Sequence, residues 1–551
     1  MTGLGEEQGS APVYREDGDL PEKKVIAWLK ARWTRTFYLA VLIVLLSSTS
    51  LAWLDGTGRW LPGWVAYSLL GSIGIASIFG IQRLTGAYPI GKVALIAYGV
   101  RLAIGVTLFL IFPTAGYQNP DSTATQAGYT FEDAFQRDRQ AWSLASSGEA
   151  LSGAFSGRYS GDQYGGTLAL SAAAYRYLSP DAHRPFLILF LNAMVAAWGV
   201  LLTWKGVENW FGATAAGAAA WIFALYPEGL LLGGSHMREP FVMTAVAITF
   251  YSLTILWNKK WSWVAWMLLG GAALFLLQPP VALFAFVLLS GAWLLDPHRQ
   301  PSWKHMAVLA GILLLAVVLV TSVWASLPSL EASQPSNIFY AWLKNNFDYQ
   351  SHLTERASGI FQKLLRDAGE SWKLPIVLAY GVAQPVLPAA LGDKPEVRLI
   401  WRIINILRAA GWYTLALFLV YGFLSALRAV SLPRRWQLIW LFLTAWIWFF
   451  LAAANAGADQ WDNPRYRTIL LTWLALLAAW AWWWARQRRD PWLGRWLMVE
   501  AGFVAIFTLW YIGRNYISAM HMGIWSAIAY TLILSAAILI GGFVWDRRVK
   551  P

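Results

Sequence analysis

Residues Tyr129 to Trp142 read YTFEDAFQRDRQAW, a polar run with helical spacing in a chain that is otherwise apolar. The run sets Glu132, Asp133 and Asp138 within two helical turns. It lies in a polar stretch from Thr114 to Arg184, and a second such stretch extends from Leu327 to Arg402. A channel or carrier needs mainly its spans and short connections. A membrane enzyme needs room outside the bilayer to assemble polar chemistry, and two long polar stretches supply it. The first should hold an amphipathic helix near Glu132–Ser146, a glycine- and serine-rich turn, and a second helix near Leu168–Tyr177.

Of the 551 residues, 57% are hydrophobic and 13% charged, against about 45–50% and about 25% in soluble domains. The excess falls into runs of about 17–23 residues, the length that crosses a hydrocarbon core. Fourteen spans are expected, all helical because lipid offers backbone polar groups no partner. They cover 37–54, 61–81, 92–112, 186–204, 213–226, 241–257, 263–277, 281–295, 305–324, 403–423, 438–454, 469–485, 498–512 and 524–544. The 36 Trp suit membrane interfaces, and Trp480, Trp482, Trp483 and Trp484 are expected at one. Leu374–Leu391 is apolar, but breaks at Pro375, Pro385 and Pro388 favour a re-entrant or surface-lying segment over a span.

Lys and Arg set the orientation. With the N-terminus in the cytoplasm, the inner segments carry Lys259, Lys260, Arg299, Lys304, Arg428, Arg434, Arg435, Arg486, Arg488 and Arg489. The short outer loops carry only Arg59, Arg238, Arg465, Arg467 and Arg514. Both long stretches then lie outside a plasma (inner) membrane, and both termini inside. The chain divides into a disordered tail (1–24), a two-span hairpin (25–91), a transmembrane core (92–326) with its outer loop at 114–184, a second outer loop (327–402) and C-terminal spans (403–551). The first 24 residues are polar and show no cleavable signal. The absence of cysteine excludes disulfides and thiolate metal sites. The net charge of +13 is scattered over span ends, which excludes a nucleic-acid face.

Four clusters could carry chemistry. Glu132, Asp133 and Asp138 lie just outside the third span, where a carboxylate suits a general base acting on a polar acceptor while the donor stays lipid-anchored. The alternative is a solvated face with an Asp133–Arg137 pair at i,i+4. In Gly161-Asp162-Gln163-Tyr164-Gly165-Gly166, glycines allow a tight turn or close backbone approach. There Asp162 would bind a hydroxyl or cap the next helix. In Ser235-His236-Met237-Arg238-Glu239-Pro240, Pro240 and Glu239 suit the start of a helix. Arg238 and His236 would meet a phosphate, unless Arg238 and Glu239 merely anchor the interface. In Asn463-Pro464-Arg465-Tyr466-Arg467, two arginines run against the positive-inside trend. Guanidinium forks match phosphate oxygens, and the alternative is snorkelling. Arg101, midway along the third span, needs a partner or a cavity.

In order along the chain, these features resemble the GT-C superfamily, polytopic glycosyltransferases that use lipid-phosphate-linked sugars. The nearer likeness is to the protein mannosyltransferase and aminoarabinose transferase-like branch. Glu132-Asp133 with Asp138 and Ala141 is similar to the acidic start of that branch's first outer loop, displaced by one residue. DQYGGTLALSAAAYRYLSPDAHRPFLILFLNA has the shape of its following segment, with YGG in place of prolines. The span pair around YPEGLLLGGSHMREP, the pair around QPP, and NPRYR complete the likeness. Two additional spans precede the loop. The resemblance implies a helical bundle of about 14 spans. It also implies a polyprenyl-phosphate-linked sugar donor and a glycan, lipid or protein acceptor. Asp133 would be the general base, with Glu132 and Asp138 beside it; Asp162, Tyr164 and His236 would bind substrate. Arg465, with Arg238 and Arg467, would neutralise the departing phosphate, and the anomeric centre would invert. A divalent cation is allowed by the resemblance but not demanded. A transporter or flippase of lipid-linked glycans would string polar groups through its spans, where Arg101 stands nearly alone. A non-catalytic envelope polysaccharide assembly protein would leave the carboxylates dispensable.

Overall fold

The computed structural model describes residues 22–116, 123–256 except 157, 160, 161 and 163, 262–297, and 365–549 except 368, 458, 518, 520 and 521. All regular elements among these residues are helical. The first three expected spans are α1 (Glu22–Leu54), α2 (Trp60–Thr85) and α3 (Gly91–Ala115). The first polar stretch folds as α4 (Thr123–Gln126), α5 (Glu132–Ser146) and α6 (Gly166–Leu178), so the two expected helices fall where the spacing puts them. α7 (Phe186–Leu225) joins the fourth and fifth expected spans across Gly212, whose φ of 81° breaks the helical path. Then come α8 (Pro227–Gly233), α9 (Glu239–Thr254), α10 (Ser262–Leu277) and α11 (Pro279–Leu294). The ninth expected span falls outside the described residues.

The chain resumes in α12 (Glu370–Ala383) and α13 (Leu387–Leu391). Pro375 sits inside α12, so only the later prolines interrupt this segment. Then follow α14 (Leu399–Arg428), α15 (Arg435–Ala456), α16 (Asp462–Thr468), α17 (Leu471–Arg488), α18 (Pro491–Asn515) and α19 (Ile524–Val549). Among the described residues, eight helices are long and apolar enough to cross a membrane, or nine if α16 and α17, bent by 77°, count as one span. α10 and α11 have 16 residues each, about 24 Å of helix, which is short of a ~30 Å hydrocarbon core.

α7 lies at the centre and packs against α2, α3, α9 and α17. Most of its residues up to Val207 are buried and apolar, as expected of a helix enclosed by others. Trp473 and Trp480 of α17 are fully buried in this core and Trp484 nearly so. Trp480 and Trp484 share one helix face at i,i+4, so only Trp482 and Trp483 of that cluster keep some exposure.

Several buried arginines inside the bundle find acceptors within the chain. Arg101, fully buried in α3, donates to the carbonyls of Phe223 (2.9 Å) and Ala224 (3.0 Å) at the C-terminal end of α7. That is the negative end of a helix, so carbonyls take the place of a carboxylate partner. Glycine makes the approach fit: a side chain at Gly234 would meet the Arg101 carbonyl at 2.9 Å. Nor is Arg101 the lone buried charge in these helices. Arg408 of α14 grips Glu228 of α8 with Nε–Oε2 at 2.5 Å and Nη2–Oε1 at 3.1 Å, and lies over the ring of Trp461 at 4.0 Å. Glu500 also lies along α18.

The Arg408–Glu228 pair is 1–2% exposed, and removing one member strands the other charge, at about 3–5 kcal/mol. Glu228→Gln should therefore lower the thermal unfolding midpoint in detergent well below that of wild type. A variant as stable as wild type would show that the pair does not hold α8 to α14.

Candidate functional site

α5 is amphipathic, and its inward face repeats every three or four residues through Ala134, Arg137, Asp138, Ala141, Leu144 and Ala145. Two charged residues are thus carried inward with the apolar ones. Asp138 is 2% exposed, and both of its oxygens are taken. Tyr129 donates to Oδ2 at 2.5 Å, Tyr175 of α6 donates to Oδ1, and His183 Nε2 lies 2.8 Å from Oδ2. Trp142 stacks on His183. Burial works against the charge on Asp138. The imidazoles of His236 and His183 and the Tyr129 hydroxyl outweigh it and hold the carboxyl below its usual range. Burial and the Asp138 charge together raise both phenols, which keeps them as donors. Asp138 therefore clamps α5, α6 and the lead-in to α7, and has no oxygen free for a substrate proton.

Arg137, on the same face, does not pair with Asp133. It donates to the His236 carbonyl at 3.2 Å and lies 3.9 Å from Asp162. Asp162 Oδ2 accepts the Leu168 N–H at 3.0 Å, which caps the first turn of α6. Its other oxygen is buried without a hydrogen bond among the described residues, and faces Arg137 at 3.9 Å and Arg238 at 3.8 Å. Gly165 makes this turn: its φ is 75°, and a Cβ would sit 2.5 Å from the Ala154 carbonyl. Tyr164 of the same turn lies under the Arg238 guanidinium at 5.2 Å. Arg238 is 8% exposed, so it is no interfacial anchor. Its nearest carboxylate among the described residues lies beyond hydrogen-bond reach.

The Ser235–Arg238 loop is held from beneath. Asn192 of α7 donates to the carbonyls of Ser235 and Met237, the second at 2.9 Å. His236 Nε2 lies 2.8 Å from the Pro185 carbonyl, which can only accept, so this nitrogen carries the proton. The imidazole is spent on the loop and does not point to a ligand.

Arg465 of α16 joins these parts. Its Nη1 donates to Asp133 Oδ2 at 3.0 Å and lies 3.4 Å from Asp462, and its Nε lies 3.1 Å from Glu239. Arg465 is 7% exposed, which excludes snorkelling. Asp133 is half exposed, and among the described residues only its Oδ2 is hydrogen-bonded. Arg238 and Glu239 are consecutive, so the Asp162 and Arg465 clusters form one continuous site. The first polar stretch, the α8–α9 turn and α16 thus meet on one face of the bundle.

Two sequence candidates stand apart from it. Glu132 is exposed and accepts from Gln136 one turn along α5. Arg467 is 1% exposed and donates to the carbonyls of Gly381, Val382 (2.5 Å) and Gln384 around the end of α12, with Trp412 at 3.7 Å. It caps a helix. Conversely, the sequence did not single out Tyr175, His183 or Asp462, which lie 37 and 45 residues from Asp138 and three residues before Arg465. Only the Asp462 spacing is a local signal. Among the described residues no three His, Asp or Glu side chains are grouped to hold a metal ion.

No protein-family model and no curated protein sequence matches the chain. Its structure is similar to that of ArnT from Cupriavidus metallidurans, solved bound to undecaprenyl phosphate. The identity is 12% and the TM-score 0.37, with 82% of this chain and 78% of ArnT covered. It is also similar to the archaeal oligosaccharyltransferase AglB from Archaeoglobus fulgidus, solved with an inhibitory peptide and a dolichol-phosphate. There the identity is 14% and the TM-score 0.35, with 82% of this chain and 55% of AglB covered.

A depressed Asp138 means that the clamp's contribution is complete above the ordinary carboxylate pKa, about 3.9, and fades as pH falls through the lower folded value. Hydrogen exchange across 123–183, corrected for intrinsic rates, should stay slow at neutral pH and quicken on acidification below about pH 4. Asp138→Asn should show the faster exchange already at pH 7. Equal protection in both proteins at pH 7 would rule the clamp out.

Proposed function

We propose that the chain is a membrane glycosyltransferase, moving a sugar from a polyprenyl-phosphate-linked donor onto an acceptor at the face where the first polar stretch, the α8–α9 turn and α16 meet. The observation that carries this reading is the pairing of a half-exposed carboxylate, Asp133, with a buried guanidinium, Arg238, whose nearest carboxylate among the described residues is 3.8 Å away, across one continuous ion-pair cluster. By the positive-inside reading that face is extracytoplasmic.

Each group then has a role. Asp133 is the general base that takes the proton of an acceptor hydroxyl or amine. Arg465 fixes its Oδ2 at 3.0 Å and leaves Oδ1 to work. Arg238, resting on Tyr164, receives the phosphate as it departs; its approach to Asp162 is loose enough for phosphate oxygens to compete. This moves the phosphate role from Arg465 to Arg238, because Arg465 is already surrounded by carboxylates. Asp162 balances Arg137 and Arg238 while the site is empty. One carboxylate suffices because a phosphate leaves as a stable anion, whereas an alkoxide leaving group needs a general acid. Attack opposite the phosphate inverts the anomeric carbon. Keeping the base near the bilayer lets a water-soluble or surface-bound acceptor meet a donor whose chain stays in lipid.

In proteoliposomes supplied with polyprenyl-phosphate sugars, Asp133→Asn should lower kcat about 10²–10⁴-fold with little change in donor KM. Arg238→Ala should weaken donor binding about ten- to hundredfold, the worth of one charge-assisted contact. Full turnover by Asp133→Asn would remove it as the base, and unchanged donor affinity in Arg238→Ala would remove that residue from the phosphate site.

A further inference from the structure

Three carboxylates from distant parts of the chain converge on one side chain. Asp133 opens α5, Glu239 opens α9, and Asp462 opens α16. Such convergence at the mouth of a transferase would ordinarily call for a divalent cation, which draws several oxygens to one centre at about 2.0–2.6 Å. Here they address the Arg465 guanidinium at 3.0, 3.1 and 3.4 Å. Two face Nη1 and one faces Nε, so the oxygens spread along the edge of a planar ion and do not close on a point. The arginine is nearly buried and lies against the ring of Tyr466, 5.2 Å from its centroid, which limits its freedom to swing out. The second oxygen of Glu239 is buried without a hydrogen bond among the described residues. The carboxylates thus suit a metal by type, but the place where it would sit is filled by a covalently tethered cation.

We propose that Arg465 is the resident cation of this site, a positioning residue that orders Asp133, Glu239 and Asp462 in place of a divalent metal. Two consequences follow. The intact protein has no high-affinity divalent site at this mouth, and removing the guanidinium creates one. A third consequence, that sugar transfer proceeds without added metal, rests on the transferase reading above.

The test uses Mn²⁺ as the probe, with binding read by electron paramagnetic resonance on the full-length protein in detergent and by the shift in thermal unfolding midpoint. Wild type should show no saturable Mn²⁺ binding at the cluster and no Mn²⁺-dependent stabilisation. Arg465→Ala should bind one Mn²⁺ at least roughly tenfold more tightly than wild type and be stabilised by it, because the three carboxylates, no longer spread along a guanidinium, can turn onto one ion only in the folded state. Adding Glu239→Gln to that variant should abolish the gain. Arg465→Lys keeps a cation in place and should behave as wild type; Arg465→Gln, of nearly the same size, replaces the alanine variant if that one does not fold. Mn²⁺ binding by wild type that Glu239→Gln removes would overturn the proposal, as would neutral variants that bind no better than wild type. Transfer by wild type should also persist in excess EDTA, and turnover lost in EDTA but restored by Mn²⁺ would overturn it too. Absence of transfer in every condition would count against the transferase reading alone, since the Mn²⁺ measurements decide the cation assignment without it.

Discussion

A guanidinium taken into a helical bundle cannot be neutralised by losing its proton, so it must find acceptors within the chain. Much of this structure follows from that constraint. Arg101 binds the carbonyls that end α7 and so fixes α3 against the central helix. Arg467 does the same at the end of α12, and Arg408 ties α14 to Glu228. Arg184, fully buried, draws Asp181, Asp55 and the Arg59 carbonyl together and locks the α1–α2 turn onto the segment before α7. Each joins elements far apart in sequence, and each costs desolvation that only well-placed partners offset. The candidate site is built by the same rule, with the difference that, among the described residues, Asp133 is half exposed with only Oδ2 hydrogen-bonded, and Arg238 meets its nearest carboxylate only at 3.8 Å.

That difference separates scaffold from site. Asp138 and Asp133 lie five residues apart on one helix. The first faces inward and is saturated by two phenols and an imidazole; the second faces outward, and among the described residues only one of its oxygens is hydrogen-bonded. Likewise, Arg465 and Arg467 lie two residues apart in NPRYR, yet one addresses three carboxylates at the site and the other caps a helix. On a short helix, neighbours two apart point to different faces, so a motif that looks uniform splits into two roles.

Hydrophobic periodicity made the helices legible. The spacing in YTFEDAFQRDRQAW located α5, and thirteen of the fourteen expected spans coincide with helical segments among the described residues. Less legible was what each element does in three dimensions. The fourth and fifth spans run on through a kink at Gly212, and Trp480 turns into the core. Glu228 and Arg408 gave no signal in the sequence, because 180 residues separate them. The same holds for Tyr175 and His183 around Asp138.

Read along the chain, the residues suffice for the class: apolar runs of spanning length, an interrupted polar loop with acidic helical spacing, and arginines at span mouths. These follow from local pattern, since lipid forces backbone groups into helices and excludes charge from long runs. Only the tertiary structure decided which charges are spent and which are left free. Asp133 was separated from Asp138, and Arg238 from Arg465 and Arg467, by partners contributed from other helices. Pairing of this kind depends on how the bundle closes, and no pattern within one segment encodes it.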